Sequence, residues 1–350
     1  MLVMKVDAID KKILYYLSLN ARLSYSTLTS NVGISRESIK SRMEKMKKNK
    51  VILNSTAILN PPYLGLNLYT LYLSFNKLAT TSAKKLDKYM QNHKRTIWVN
   101  RCLGKWDYTL ILYAKNSKDM AEVLGEIKEK FRGAIKEIDF EEVLYEYKYS
   151  ANVKAFFEGV KINPLKVSKE GSSFYSLLDN ETTIVEKGFE KKVLIDEIDV
   201  KIIELLSKDA RVSLQEMSNK LSLPIENIRY KMKRMVDRKV LTAFWIAINY
   251  GLFGFQWYRI RMRTYEITEE IEKELKKHIL NNSNIFWGAR ILGQNDLHLD
   301  VRLKGNKELN EFLEEFNEKF ENLLIDYETI IMTEEPTYND FAPILYDVAH

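Results

Sequence analysis

Apolar residues recur at helical spacing from the start of the chain. Ile9, Ile13, Leu14 and Leu17 share one face of a helix over residues 7–20, with Asp7 or Asp10 in its first turn, where a carboxylate suits the helix dipole. Ser24 is placed to cap a short helix carrying Leu28 and Val32, and Ser35 to cap a third that runs through Lys48. Between these two, Thr29 is small, Gly33 stands where a tight turn wants positive φ, and Ile39 is the apolar residue a helix-turn-helix buries. After Val51 the period changes. Residues 68–75 read as a strand, 81–93 as a helix, 97–103 and 108–114 as strands, 117–131 as a helix and 135–143 as a strand. This βαββαβ order closes into a four-stranded antiparallel sheet with both helices on one face, a ferredoxin-like sandwich whose other sheet face is bare.

The whole pattern occurs twice. Sliding the chain 189 residues along itself places Ile9-Asp10 on Ile198-Asp199, Ala21-Arg22 on Ala210-Arg211, Met43 on Met232, Lys50-Val51 on Lys239-Val240, and Leu103-Gly104 on Leu292-Gly293. The second helix-turn-helix keeps Ser218, Ser222 and Ile228 and an apolar frame of Met217, Leu221, Leu223, Met232 and Met235, but it lacks the turn glycine. The expected class is therefore α+β, two winged-helix or helix-turn-helix domains each followed by a ferredoxin-like domain. The expected boundaries are 1–60 and 61–150, a linker at 151–189, then 190–249, 250–335 and a tail at 336–350. The middle of the linker, SKEGSSFYSLLDNETT, reads as an exposed connector.

Composition narrows the class. Of 350 residues 45% are hydrophobic and 29% charged, with 13 Gly and 6 Pro, which excludes a disordered or collagen-like chain. No apolar run reaches the roughly 20 residues of a membrane helix, and MLVMKVDAIDKK lacks the apolar stretch of a secretory signal, so a cytoplasmic protein without membrane contact is expected. One cysteine, Cys102, and four scattered histidines offer no metal-site spacing, and no metal or cofactor is expected.

The net charge is only +6, but it is concentrated. From Ser35 to Lys50 seven basic residues stand against Glu37 and Glu44, and from 224 to 239 six stand against Glu226 and Asp237. A generic Lys-rich helix is a solvated face. Here the basic helix is the third of a helix-turn-helix, twice, which points to phosphate neutralisation on double-stranded DNA. With Ile39, Met43 and Met46 buried, Glu37, Ser38, Ser41, Lys45 and Lys48 lie on the opposite face and reach toward bases, while Arg36, Lys40 and Arg42 flank it for phosphates. The DNA-facing set in the second copy is Asn227, Arg229, Tyr230, Lys231 and Arg234, with Glu226 outward too. The two heads differ, so an asymmetric operator is expected.

Asp-x-Ile-Asp-x-Lys-Ile-Leu, Ala-Arg-Leu-Ser, Lys-Val-Ile, Leu-Gly-Leu and Gly-Lys-Trp-Asp-Tyr, taken in order, resemble the Lrp/AsnC (feast/famine) family of transcription regulators, and the likeness covers both copies. The resemblance implies a DNA-binding regulator, not an enzyme. It also implies an amino-acid-like effector near the Gly-x-x-Asp loops, here Gly104 with Asp107 and Gly293 with Asp296. Read from residues alone, these loops are hairpin turns in which Gly supplies the backbone and Asp the cap. Family members usually dimerise, and this chain carries both units.

On the bare sheet faces, Arg259, Arg261 and Arg263 form a ladder where copy one has Thr70, Tyr72 and Ser74, and the last strand of copy one shows Glu137, Asp139 and Glu141 on its open face. One expectation is that the two sheets pack together as an intramolecular pseudo-dimer, able to assemble further. The other is that the ladder pairs with Asp300, Asp326 and Glu328 in its own sheet and faces water. The same two-domain unit also resembles siroheme decarboxylases, for which His298, Arg101 and Arg290 are the tetrapyrrole candidates. A third class, RNA binding on an open sheet, would rest on Tyr72 and Tyr113.

Overall fold

The computed structural model describes residues 5–76, 80–166, 192–338 and 341–349. Residues 167–189 of the expected linker and part of the expected tail lie outside the described residues. The chain forms two compact units, each combining segments of both copies.

The first unit holds the helix-turn-helix segments. Helix α1 (Ala8–Leu19) opens on a capping box in which the Asp7 carboxylate accepts the Asp10 N–H at 2.8 Å and Asp10 accepts that of Asp7 at 3.2 Å. Helix α2 (Tyr25–Val32) is capped by Ser24 and ends on Gly33 at φ 84°; α3 (Arg36–Lys48) is capped by Ser35. Their counterparts are α6 (Glu197–Lys208), α7 (Leu214–Leu221) and α8 (Ile225–Asp237), and Asp196 with Asp199 repeats the capping box. Where the turn glycine is missing, Ser222 takes the left-handed conformation at φ 54°. That conformation costs a side-chain-bearing residue about 1–2 kcal/mol. Ser222→Gly is therefore expected to stabilise this unit by about 0.5–1 kcal/mol, read as a higher urea midpoint; an unchanged or lower midpoint would contradict the assignment.

Each third helix runs into a strand that the sequence pattern did not reveal, β1 (Ile52–Leu59) and β6 (Leu241–Ile248). The two pair antiparallel with each other, Ser55 opposite Ile246 and Ala57 opposite Phe244. Helix α1 packs on β6 and α6 on β1, so each copy completes the other. The repeat symmetry extends to single bonds: Asn60 N–H donates to Val240 O at 3.0 Å and Asn249 N–H to Val51 O at 2.9 Å.

The second unit holds both βαββαβ segments: β2 (Asn67–Phe75), α4 (Thr80–Gln91), β3 (Thr96–Leu103), β4 (Tyr108–Ala114), α5 (Ser117–Lys130) and β5 (Ile135–Tyr149), then β7 (Gln256–Thr264), α9 (Glu269–Asn281), β8 (Ile285–Leu292), β9 (Leu297–Leu303), α10 (Asn306–Lys319) and β10 (Leu324–Tyr338). The sheets do not stay separate. They join edge to edge into a closed barrel in the order β10-β3-β4-β2-β5-β8-β9-β7. The cause is strand length: β10 pairs with β7 up to Met332 and with β3 from Ile331 onward, so one strand serves both copies. Closure removes the exposed sheet edges. Each helix pair covers its own apolar core, one around Leu71, Leu110 and Val123, the other around Ile260, Leu299 and Phe316.

The faces expected to be bare line the barrel. Tyr72 and Tyr113 are buried, which removes the stacking platform that RNA binding needed. The arginine ladder divides its partners. Arg259 grips Asp300 of its own sheet with two bonds of 2.7 Å, whereas Arg261 bonds Glu328 at 2.7 Å on its own sheet and Asp139 and Glu141 of the other copy, the latter at 2.9 Å. Arg263 is exposed, 3.9 Å from Asp326. Glu146 is buried with the Trp287 indole as hydrogen-bond donor, and burial pushes its carboxyl up to about 7 despite that bond. A raised folded-state value means stability that is complete below the ordinary glutamate range and lost as pH rises through about 7. Glu146→Gln should keep the indole bond and flatten that loss between pH 5 and about 8, measured by urea unfolding across the range; an unaltered pH profile would contradict it.

Candidate nucleic-acid interface

Helix α3 buries Ile39, Met43 and Met46 and turns its other side to solvent. Each such side chain, fully buried, contributes about 1.5–3 kcal/mol, enough to fix which face of a 13-residue helix looks outward. Arg36, Glu37, Ser38, Lys40, Ser41, Lys45 and Lys48 are exposed. Lys40, Lys45 and Lys48 have no ion-pair partner among the described residues, and the Arg36 guanidinium lies 5.5 Å from the Tyr25 ring. In α8 the exposed residues include Glu226, Asn227, Arg229 and Tyr230, the tyrosine with 66% of its surface free.

Three of the residues expected on DNA are engaged elsewhere. Arg42 is half-buried, bonded to Asp7 at 2.8 Å and Asp10 at 2.7 Å, and so ties α3 to the cap of α1. Lys231 bonds Asp196 at 2.5 Å and lies 3.3 Å from Asp199, and Arg234 bonds Asp199 as well. The expectation that Arg42 flanks the helix face for phosphates and that Lys231 and Arg234 face DNA is revised. Their neighbours Asp10 and Asp199 are buried carboxylates that need a fixed cation beside them, and Arg42 and Lys231 occupy matched positions in the repeat. Burial opposes ionisation of Asp7, but the Asp10 N–H and the Arg42 guanidinium outweigh it and hold that carboxyl low.

What positions the two heads is a pair of residues to which the sequence pattern assigned no role. Arg22 donates to the carbonyls of Ala210 and Val212, the latter at 3.1 Å, and Arg211 donates to those of Ala21 and Leu23, the latter at 3.0 Å. The exchange is reciprocal. Ala21 N–H also donates to Phe244 O at 2.6 Å and Ala210 N–H to Ser55 O at 3.0 Å. The signal was present in the repeat, where Ala21-Arg22 falls on Ala210-Arg211, but a matched pair does not announce that each binds the other copy.

The Gly-x-x-Asp loops sit on the barrel. Asp107 accepts the Phe75 N–H at 2.6 Å and Asp296 the Thr264 N–H at 2.8 Å, so both carboxylates staple a hairpin to the end of a neighbouring strand. Gly104 has φ 123°; Gly293 lies against the Glu141 side chain, where a Cβ would meet Cγ at 2.5 Å. Glu141 also accepts from the Asn295 side-chain amide at 2.8 Å. Beside these loops lies a cleft of about 510 Å³ lined by Lys105, Arg263, Gln294, Asn295, Asp326 and Glu328. Cys102 is buried, and burial pushes its thiol up to about 11, which leaves no thiolate for nucleophilic chemistry. The tetrapyrrole candidates are engaged internally: His298 is fully buried 2.9 Å from Glu141, Arg101 is paired with Asp87, and Arg290 donates to Asp296 O at 3.3 Å.

The AsnC-type helix-turn-helix domain matches the chain twice, at residues 6–47 and 195–236. The HTH-type transcriptional regulator FL11 of Pyrococcus furiosus is 29% identical over 126 residues, 35% of this chain and 79% of its own length. The proline dehydrogenase transcriptional activator of Rhodobacter capsulatus is 28% identical over 124 residues, 35% of this chain and 79% of its own. Along nearly the whole length, the structure is similar to that of the siroheme decarboxylase NirDL in complex with an iron-uroporphyrin III analogue, with TM-score 0.60 over 97% of this chain and 96% of that one. At 12% identity this last likeness concerns the fold alone. No described helix is long and apolar enough to cross a membrane.

Proposed function

We propose that this chain, a transcription regulator of the AsnC/Lrp type that carries its helix-turn-helix domain twice, binds specific sequences of double-stranded DNA as a covalent pseudo-dimer. The observation that carries this reading is the β1–β6 pairing with its reciprocal Arg22 and Arg211 contacts, which holds two recognition helices in one unit. Two heads fixed in this way suit half-sites spaced by about one helical turn, roughly 34–36 Å. Because Ser38 and Ser41 of one head are matched by Asn227 and Tyr230 of the other, the half-sites are unlike. The effector reading rests on the cleft at the Gly-x-x-Asp loops, where Lys105 and Arg263 stand beside Asp326 and Glu328, a charge pattern suited to an amino-acid zwitterion.

Selection from random duplexes tests the DNA reading. A recovered motif of two unlike halves in fixed spacing is expected, and recovery of no enriched sequence would overturn it. The tetrapyrrole-enzyme alternative has the full-length fold likeness behind it, but of its candidate side chains His298 is buried beside Glu141, and Arg101 and Arg290 are engaged by Asp87 and the Asp296 carbonyl. A coloured complex on titration with an iron tetrapyrrole would favour it.

A further inference from the structure

The two heads have the same fold and different charge. Residues 5–51 carry eleven basic and four acidic side chains, a net of +7, and the matched residues 194–240 carry ten basic and eight acidic, a net of +2. Most of the difference lies ahead of the recognition helices, where residues 5–34 carry a net +2 and residues 194–223 a net −2, while residues 35–51 and 224–240 carry +5 and +4. Within the helices the charges are redistributed: by the 189-residue offset Arg36 matches Ile225, Lys47 matches Val236 and Lys48 matches Asp237, whereas Glu44 matches Lys233 and Asn49 matches Arg238.

Side-chain geometry widens the gap. In the first head a single cation, Arg42, serves Asp7 and Asp10, which leaves Lys45 exposed; in the second head both Lys231 and Arg234, the latter matching Lys45, fold back on Asp196 and Asp199. Arg229 lies 3.7 Å from Glu226, and Lys233 bonds Asp237 at 2.7 Å. In the first head Lys40, Lys45, Lys48 and Lys50 are exposed and have no ion-pair partner among the described residues.

We infer that the first head anchors the protein to the DNA backbone and supplies most of the phosphate contacts, while the second head contributes base reading through Asn227 and Tyr230 with little electrostatic attraction. Each phosphate neutralised adds about 0.9 to the slope of log affinity against log salt. Cations already paired with carboxylates release few counterions. The inference rests on the proposed DNA function, and the test separates the two.

The test uses the full chain on its selected duplex, with affinity measured across a salt series. Lys45→Ala with Lys48→Ala in the first head should lower the slope by about 2 and weaken binding at least tenfold at low salt. Arg229→Ala with Lys233→Ala in the second head should lower it by less than about 1. Both sites are exposed, and circular dichroism melting confirms that each variant remains folded. Equal slope losses from the two pairs, or a larger loss from the second, would overturn the inference while leaving the regulator reading intact. No specific binding by the unaltered protein would instead remove the reading on which it rests.

Discussion

Replacing Arg261 with methionine should destabilise the barrel unit by about 3–5 kcal/mol, because it leaves buried carboxylates without their cation. Arg261 has 2% of its side chain exposed and is bonded to Asp139, Glu141 and Glu328. The effect should appear as a lower urea midpoint followed by tryptophan fluorescence, since Arg261 lies 5.8 Å from the Trp106 ring. Arg263→Met is the control. Its side chain is 55% exposed and only loosely paired, so its removal should change stability by no more than about 0.5 kcal/mol. A loss below 1 kcal/mol at Arg261 would mean that the two copies do not depend on this ion cluster. The same cluster sets the acid limit of the unit. Burial alone would raise the Glu141 carboxyl, but the His298 ring and the Arg261 guanidinium outweigh it and hold it well below the usual glutamate range. A depressed folded-state value contributes stability above the ordinary pKa that is lost as pH falls through the folded one, so acid unfolding should begin at higher pH in the Arg261 variant.

The second large effect is expected at the reciprocal arginines. Arg22→Met with Arg211→Met removes charge-assisted hydrogen bonds to four backbone carbonyls, two in each copy. At about 1.5–3 kcal/mol for each arginine, the double variant should lose roughly 3–6 kcal/mol in the helix-turn-helix unit. The two single variants should each lose about half of that, because the sites mirror each other without sharing a partner. DNA affinity should fall further than stability alone requires, since heads that no longer hold a fixed spacing must be ordered on binding. A double variant that melts like the unaltered protein would contradict the proposed coupling of the heads.

These predictions depend on features of unequal visibility in the sequence. The helix-turn-helix segments were legible because capping residues and a 3.6-residue apolar period are local signals: Ser24, Gly33, Ser35, Ile39 and Met43 all stand where the turn and core require them. The βαββαβ order was legible for the same reason. Strands β1 and β6 were not, because Ile-Leu-Asn-Ser-Thr-Ala-Ile-Leu has no clean alternation and its partner lies 189 residues away in the repeat. The last strand of copy one was read as 135–143 and runs on to Tyr149, and β10 likewise continues onto the other copy from Ile331, a non-local partner that no residue pattern reveals. The charged face of the recognition helix was visible, yet a helical wheel could not separate Lys45, which is exposed, from Arg42, which is claimed by Asp7 and Asp10. The complementarity of Arg261 with Asp139 and Glu141 was legible from alternation on two strands, whereas its simultaneous bond to Glu328 shows that own-sheet and cross-sheet pairing were not exclusive.

The most direct test of the account is fluorescence anisotropy of the purified protein with fragments of its own genome, its own promoter included, across a salt series. The account predicts tight binding to particular fragments with an affinity that falls steeply as salt rises, by about 0.9 log units per log unit of salt for each phosphate contacted. Weak binding that is the same for every fragment would contradict it, and would leave the paired helix-turn-helix segments as a scaffold for the cleft on the barrel.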